Sequence, residues 1–344
     1  MKHSEFFAAL KQGQIFPCYL FEGEEEYTKG SALKALRKRV AAGDFAAMND
    51  TRLIDPPPDA LIAAAETLPF MSDKRFLEIR DSAMLQPGKA KEYDEDSAVK
   101  QLDTYLSNLP ETVCMVFYVH GKADGRKKLY QILKKKAQIV SFDPLDEREL
   151  IQWIAQSLRQ QGKKISVAAC QRLWFSAGRD LTLLSNEIGK LAAYTGDRDE
   201  ITEEDVQAIC LQSTEYRIYD MADALLSGQG SRAMTMLEAL LREGEERLMM
   251  LPMLGRQCRQ MRYARALSAA GKQPGDIAAR LGVPPFAVRK TLDTARRYTL
   301  AQLGEMARLC LETEYQVKSG QLMETGSLEK VMLQILAMGG EQTA

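Results

Sequence analysis

The sequence predicts an α/β domain followed by all-α domains, and two patterns indicate this fold class. Up to about residue 143, short apolar segments alternate with helical stretches. This order is typical of a mainly parallel sheet with helices on both faces. From Asp146 onward the apolar residues keep helical spacing, and we expect no strand there. The 344 residues are also too many for one core, since one domain takes roughly 150 residues.

The elements of the first region are predicted from their periodicity. Residues 113–119 are apolar throughout, as in a strand buried on both faces, and 75–80 alternate between polar and apolar. Two more short apolar runs predict strands at 16–21 and 139–142. The predicted helices cover 26–42, 57–67, 97–108 and 125–136. Residues 82–97 contain Pro87-Gly88 and many charges, and we expect a surface excursion there.

The second region is expected to be helical throughout. Helices are predicted at 166–177 and 180–195, and Thr202 with Asp205 has the spacing of a capping box that opens another helix. Further breaks are expected near Gly228, Gly271, Pro284-Pro285 and Gly320. These patterns predict three domains: an α/β domain at 1–145, a small helical domain at 146–212 and a larger helical domain at 213–340.

Composition excludes several classes of function. The 46 Lys and Arg nearly balance 47 Asp and Glu, so no global charge recruits nucleic acid or lipid. Six cysteines lack Cys-x-x-Cys spacing, and the two histidines, His3 and His120, are too few for a histidine metal site. We therefore predict no metal, no cofactor and no catalytic residue.

The chain also lacks membrane signals. An acid, Glu5, stands where a signal peptide needs an apolar run, and no stretch of 18 uncharged apolar residues occurs. We expect a cytoplasmic protein with no membrane partner.

The first predicted strand runs into residues 23–30, which read Gly-Glu-Glu-Glu-Tyr-Thr-Lys-Gly. This is the position of the phosphate loop G-x-x-x-x-G-K-[ST] in nucleotide-binding folds. Gly23 and Lys29 fit the motif, but Thr28 replaces the second glycine and Gly30 replaces the hydroxyl residue that binds Mg²⁺. Three glutamates in the loop would repel a triphosphate.

The acidic half of such a site is missing as well. His120 and Gly121 follow the strand at 113–119, where an ATPase carries the acids that hold Mg²⁺. We therefore expect a degenerate, non-functional phosphate loop.

Several short motifs then follow one another along the chain. They are the run 19–27, Thr67-Leu68-Pro69-Phe70-Met71-Ser72-Asp73-Lys74-Arg75, Arg126-Lys127-Lys128-Leu129-Tyr130, Trp153-Ile154, the run 186–191 and Lys318-Ser319-Gly320. In this order and spacing they resemble the delta subunit of the bacterial DNA polymerase III clamp loader. Three positions depart from the family pattern: Met71 in place of Phe, Glu314 in place of Asp and Ser319 in place of Thr. The resemblance covers almost the whole chain.

The resemblance implies an architecture and a function. The architecture is an AAA+-like N-terminal domain without ATPase activity, a small helical lid and a helical collar that joins subunits in a ring. The function is that of a non-catalytic subunit, which binds and opens the sliding clamp (beta) so that it can be loaded on primed DNA. The implied partners are that clamp, the ATPase subunits (tau and gamma), delta-prime and primed DNA through the complex. Nucleotidyltransferase activity would belong to the polymerase holoenzyme, and this chain would be its subunit.

Leu68, Pro69, Phe70 and Met71 form the apolar run that the resemblance assigns to clamp binding. From the residues alone, two interpretations stay open: an exposed plug, or an ordinary loop whose side chains fold into the core.

Two basic regions also have two interpretations each. Arg126, Lys127 and Lys128, with Lys318 further on, could contact DNA or a neighbouring subunit, or could form solvated surfaces. Residues 275–297 resemble a helix-turn-helix, with Arg289, Lys290, Arg296 and Arg297 available for phosphates. The alternative function is therefore a sequence-specific DNA-binding regulator, although the second helix starts Pro-Phe-Ala-Val and lacks side chains that read base edges.

Overall fold

The computed structural model describes residues 1–86 and 94–340, and these residues form two compact units. One unit ends at Arg148 and the other begins at Glu149. The expected division of the second unit into a lid at 146–212 and a collar at 213–340 stays a prediction.

The first unit contains a five-stranded sheet whose paired strands are all parallel, in the order β2-β3-β4-β1-β5. Its strands are β1 (Cys18–Glu22), β2 (Asp50–Ile54), β3 (Arg75–Arg80), β4 (Val113–Tyr118) and β5 (Gln138–Ser141). Its helices are α1 (His3–Lys11), α2 (Glu26–Val40), α3 (Pro58–Glu66), α4 (Glu95–Ser107) and α5 (Lys128–Lys136), with a 3₁₀ turn at Ala46–Asn49.

Side chains alternate across this sheet and build one apolar layer on each face. Leu20 and Phe117 pack in one layer, whereas their chain neighbours Phe21 and Val116 pack in the other. Because both faces are covered by helices, β4 is buried at every position, as its continuous apolar run predicts.

The elements from Glu147 onward are mostly helices. The helices are α6 (Glu147–Arg159), α7 (Val167–Ala177), α8 (Leu181–Tyr194), α9 (Glu203–Ile209), α10 (Thr214–Leu226), α11 (Gly230–Arg242), α12 (Arg247–Ala269), α13 (Pro274–Leu281), α14 (Pro285–Ala295), α15 (Leu300–Lys318) and α16 (Ser327–Gly340). The predicted capping box forms at the start of α9, where Thr202 and Asp205 exchange hydrogen bonds. One core of buried side chains, drawn only from residues between Ile218 and Ile335, holds α10, α11, α12, α15 and α16 together.

The fold class of α/β plus all-α is confirmed, and four details of the prediction are wrong. Two short paired strands, β6 (Lys164–Ile165) and β7 (Glu200–Ile201), lie where no strand was expected, because two residues are too few to show a period. Strand β2 and helix α1 were not predicted. Strand β2 begins Asp-Thr-Arg at the edge of the sheet and carries little apolar signal.

The other two details concern loops. In the predicted surface excursion at 82–97, Ala83, Met84 and Leu85 are buried, because Met84 and Leu85 join the core beside β4. Within that stretch, residues 87–93 lie outside the described residues. The predicted helix at 125–136 begins only at Lys128.

No helix in the described ranges combines the length and the apolar character that crossing a bilayer requires.

Candidate functional site

The loop of residues 67–74, between α3 and β3, presents apolar side chains to solvent. Leu68 and Met71 are each 77% exposed and Phe70 is 49% exposed, while Pro69 is partly buried. The side chains of Leu68, Phe70 and Met71 are therefore exposed and do not fold into the core. Burial of large side chains is worth roughly 1.5–3 kcal/mol each, so their exposure leaves that free energy available for a partner.

The buried side chain of Asn49 holds this loop by its backbone. Its Oδ1 accepts a hydrogen bond from Phe70 N–H at 2.7 Å, and its Nδ2 donates to the Phe70 carbonyl at 2.8 Å. The same Nδ2 donates to the carbonyl of Phe45 at 3.2 Å. Arg75 adds a second tie, because its guanidinium donates to the Met48 carbonyl at 3.4 Å and to Thr51 Oγ1 at 2.7 Å.

These hydrogen bonds from Asn49 bring further apolar side chains to the loop. The ring of Phe45 meets that of Phe70 edge to face, with the centroids 5.2 Å apart. Phe45 and its neighbour Met48 are 41% and 57% exposed. We call Phe45, Met48, Leu68, Phe70 and Met71 the apolar patch. Phe45, Met48 and Asn49 were not predicted from the sequence, in which the apolar run Phe45-Ala46-Ala47-Met48 is the one signal that indicates them.

Met71 has an unusual backbone. Its φ of +50° lies in the left-handed region, which is uncommon for residues other than glycine. This conformation turns the chain directly after Phe70 and leaves the Met71 side chain in solvent. Such strain is retained where surrounding contacts fix the loop, as the Asn49 hydrogen bonds do here.

The degenerate phosphate loop follows β1, and its Lys29 side chain is hydrogen-bonded to other residues of the same chain. Gly23 has φ +127°, and a Cβ there would collide with the backbone of Phe142, so only glycine fits. Lys29 is fully buried and its Nζ makes three short contacts: 2.7 Å to the Gly23 carbonyl, 2.7 Å to the Val119 carbonyl and 2.6 Å to Glu26 Oε1. An ammonium has three N–H donors, so none is left for a phosphate.

The other positions of the motif fit this picture. The Thr28 hydroxyl is buried without a hydrogen-bond partner, and a Cβ at Gly30 would meet no neighbour within 4 Å. At the end of β4, His120 lies with its Nδ1 3.3 Å from a carboxylate oxygen of Glu26. The loop therefore contains an internal charge cluster where a nucleotide-binding fold has its phosphates.

Burial and pairing shift the pKa values in this cluster. Burial lowers the pKa of the Lys29 ammonium below its usual value, although the hydrogen bond to Glu26 opposes the change. For Glu26, burial acts to raise the pKa, but hydrogen bonds from Lys29 and Tyr118 outweigh it, and the pKa is lower than usual. Among the described residues, no group of His, Cys, Asp and Glu has the arrangement of a metal site.

Family models match nearly the whole chain in three consecutive pieces. Residues 19–143 match the model described as DNA polymerase III, delta subunit, and 215–335 match the C-terminal domain of the same subunit. Residues 146–208 match a model described as a middle domain. The two delta-subunit models together span more than half of the chain.

This chain belongs to the DNA polymerase III delta-subunit family.

Relatives of this delta-family chain match over most of their length. DNA polymerase III subunit delta of Bacillus subtilis is 28% identical over 95% of both chains, and that of Escherichia coli is 24% identical over 73% of this chain and 71% of its own. A solved structure of the Bacillus subtilis DNA clamp loader delta protein superposes with a TM-score of 0.57, at 26% identity, and covers 97% of this chain and 99% of its own. The fold and the clamp-loader context expected from the sequence are confirmed.

The candidate basic contacts of this delta-family chain are paired with acids of the same chain. The Arg126 guanidinium donates two hydrogen bonds of 3.0 Å to the Asp124 carboxylate, and Lys128 Nζ lies 2.6 Å from Asp96. The corresponding distances are 3.9 Å for Lys127 and Glu95 and 2.6 Å for Lys318 and Glu314. Exposed pairs of this kind are worth at most about 1 kcal/mol, so they compete only weakly with DNA phosphates. A role for these residues in DNA or subunit contacts stays a prediction.

Residues 275–297 do form two helices around a turn, α13 and α14, with Gly282 in the left-handed conformation. However, Phe286, in the first turn of α14, packs against Phe175 with ring centroids 5.5 Å apart, and the Arg172 guanidinium lies 5.2 Å from its ring centre. Lys290 pairs with Asp223 at 2.8 Å. The end of α14 that would enter a major groove is therefore engaged within the protein.

Proposed function

We propose that this chain is the non-catalytic clamp-loader subunit that binds the sliding clamp and holds it open for loading on primed DNA. The observation that carries the proposal is the apolar patch, a set of large exposed side chains on a loop fixed by Asn49 and Arg75. Apolar anchors on a rigid support lose little conformational entropy on binding, which favours affinity. Within the patch, Leu68 and Phe70 are the proposed anchors, and Pro69 and Met71 lie at the rim of the clamp pocket.

The proposed partners are those of the family. The clamp (beta) would meet the apolar patch, and the ATPase subunits (tau and gamma) and delta-prime would meet the collar at 213–340. Primed DNA would be reached through the whole complex, in the cytoplasm. The chain itself would neither bind nor hydrolyse ATP, because Lys29 uses its donors internally.

The test is a double variant, Leu68→Ala with Phe70→Ala, measured for clamp affinity and for melting. Truncation of hot-spot anchors should cost roughly 2–4 kcal/mol of binding. This corresponds to about 30- to 1,000-fold weaker affinity. Because both side chains are substantially exposed, the free energy of unfolding should change by no more than about 2 kcal/mol, most of it from loss of the Phe45–Phe70 ring pair.

A matched control is Leu183→Ala, which truncates another exposed leucine, on α8. This variant should bind the clamp like the wild type. Clamp binding that survives in the folded double variant, or a large loss of stability in that variant, would contradict the plug.

The alternative is a sequence-specific DNA-binding regulator, and two contacts argue against it: Phe286 packs against Phe175, and Lys290 forms an ion pair with Asp223. A gel-shift assay with duplex DNA decides between the two functions. Tight, sequence-dependent duplex binding by the isolated chain, without clamp binding, would favour the regulator.

A further inference from the structure

Helix α12 carries an unusual charge pattern. Its 23 residues contain five arginines and no acidic residue, in a chain whose formal net charge is −1. Arg247 pairs with Glu329 at 2.7 Å, and Arg265 donates to the Ala295 carbonyl at 3.2 Å. The remaining arginines, Arg256, Arg259 and Arg262, are exposed. None of the three forms an ion pair with an acid in residues 1–86 or 94–340.

These three arginines share the outward face of α12 with one aromatic residue. At 3.6 residues per turn, Arg256, Arg259, Arg262 and Tyr263 fall within an arc of about 120°. The opposite face is buried in the helical core through residues such as Leu254, Cys258 and Met261. Tyr263 is 60% exposed, so its ring is open to solvent on the same face of the helix as the three arginines.

Two glycines make room for the guanidinium groups. A Cβ at Gly304, on α15, would lie 3.3 Å from the Arg262 guanidinium, and a Cβ at Gly255 would lie 3.4 Å from Arg259 Nη1. Both side chains therefore lie against backbone that carries no side chain. Their charged ends are held at the surface without an acidic partner among the residues that the structure describes.

The lack of acids contrasts with the neighbouring helices. Arg217, Arg232 and Arg242 each pair with a carboxylate, Glu243, Asp220 and Glu238 respectively. Like charges three residues apart on a helix repel each other and destabilise it slightly. A bound polyanion would remove that repulsion on α12.

We propose that the outward face of α12 binds single-stranded nucleic acid. Guanidinium groups contact the phosphates, and the Tyr263 ring stacks on an unpaired base, which is the usual combination for single strands. A duplex keeps its bases stacked inside and would leave Tyr263 unused. This surface is separate in sequence from the apolar patch, and the proposal does not depend on clamp binding.

The test uses the full chain and fluorescein-labelled oligonucleotides, with fluorescence anisotropy recorded across a salt series. The wild type should bind a 20-nucleotide thymidine strand with a Kd of about 1–100 µM at physiological salt and more tightly at low salt. The triple variant Arg256→Gln, Arg259→Gln and Arg262→Gln should lose about 2 from the slope of log K against log salt, since each phosphate contact on a single strand contributes about 0.7. Tyr263→Leu should weaken binding about 5- to 100-fold and leave that slope unchanged.

The matched control removes the same charge from paired arginines: Arg217→Gln, Arg232→Gln and Arg242→Gln. This control should bind within a few-fold of the wild type. If the α12 triple variant does not melt cooperatively, the single variant Arg259→Gln replaces it in the test. Its slope of log K against log salt should change by about 0.7. A uridine strand of equal length shows whether RNA or DNA is the tighter ligand.

Several results would overturn the proposal. The first is no binding by the wild type up to 100 µM, which is about the weakest non-specific affinity. The second and third are equal weakening in the control triple variant and wild-type affinity in Tyr263→Leu. The last two are duplex binding as tight as single-strand binding and full displacement of the oligonucleotide by polyglutamate at equal charge. The last result would assign the face to an acidic protein partner.

Discussion

The side-chain amide of Asn49 hydrogen-bonds both backbone groups of Phe70: its Oδ1 accepts from the Phe70 N–H at 2.7 Å, and its Nδ2 donates to the Phe70 carbonyl at 2.8 Å. The two residues are 21 positions apart, and this pairing fixes where the exposed part of the loop stands relative to the sheet. An amide that satisfies both backbone groups of one residue acts like one step of strand pairing. It holds Phe70 ready for a partner without burying its ring.

The first prediction follows from this pairing. Asn49→Ala should destabilise the chain by about 1–3 kcal/mol, because the backbone groups of Phe70 lose their partner. It should also weaken clamp binding about 5- to 30-fold, since the loop must then be ordered on binding at a cost of about 1–2 kcal/mol. Urea unfolding and calorimetric titration with the clamp measure the two effects. Asn108→Ala, at an exposed asparagine after α4, is the control and should change neither.

Unchanged clamp affinity in folded Asn49→Ala would show that the loop needs no fixed backbone. Asn49→Asp refines the test, because it keeps the acceptor for Phe70 N–H and loses the donor. An intermediate loss of affinity is expected for it.

The second prediction concerns Lys29. Lys29→Met should lower the free energy of unfolding by about 2–4 kcal/mol, because it leaves the carbonyls of Gly23 and Val119 without a donor. Thermal melting checks this, and Lys34→Met, an exposed position on the same helix, should be nearly neutral. Neither the wild type nor the variant should bind ATP in calorimetry. ATP binding by the wild type that Lys29→Met abolishes would mean that the lysine still serves a nucleotide.

The predictable part of this protein was the part with strong apolar periodicity. Strand β4 and helices α7 and α8 came within one or two residues of their observed bounds, because their apolar patterns are long and regular. Strand β2 was missed, since it is polar at its start and takes its place by pairing with β3.

Only the part of the site that is contiguous in the sequence could be predicted. Leu68 to Met71 form one run that the family resemblance pointed out, whereas Phe45 and Met48 join the patch through a single asparagine that carries no pattern of its own. The phosphate loop shows the same limit. Its missing motif positions are visible in the sequence, but the burial of Lys29 against the Val119 carbonyl depends on a contact between positions that are 90 apart in the chain.

A third prediction is a pH dependence in the helical unit. The Arg247 guanidinium forms a two-point contact with Glu329, which joins α12 to α16 and lowers the pKa of that carboxyl below its usual value. A carboxyl with a depressed folded-state pKa adds stability above its unfolded value near 4.5, and that stability is lost as the pH falls through the folded-state value.

Glu329→Gln should therefore destabilise the chain at pH 7 by about 1.5–3 kcal/mol. Its melting curve should approach that of the wild type below about pH 4. Glu238→Gln, in a largely exposed pair with Arg242, should change little at either pH. A gap between wild type and Glu329→Gln that stays constant down to pH 3 would mean that the carboxylate charge is not what stabilises this contact.

The last prediction tests whether the collar is a domain of its own. The core that joins α10, α11, α12, α15 and α16 uses no residue before Ile218, so a fragment of residues 213–344 contains all the side chains of that core. This fragment should melt cooperatively, and it should bind the partner ATPase subunits without the first unit.

The fragment 213–344 lacks Phe175, whose ring contacts Tyr216, Tyr219 and Phe286 in the whole chain. Stacked or edge-to-face pairs are worth about 0.5–1.5 kcal/mol each beyond their burial, so the fragment should melt below the longer fragment 146–344. Calorimetry of both fragments and size-exclusion chromatography with the ATPase subunits measure these outcomes. If only 146–344 folds, then α7 is part of one cooperative unit with the collar, and the boundary at 212 is wrong. If both fragments fold and neither binds the ATPase subunits, the assembly surface lies in residues 1–145.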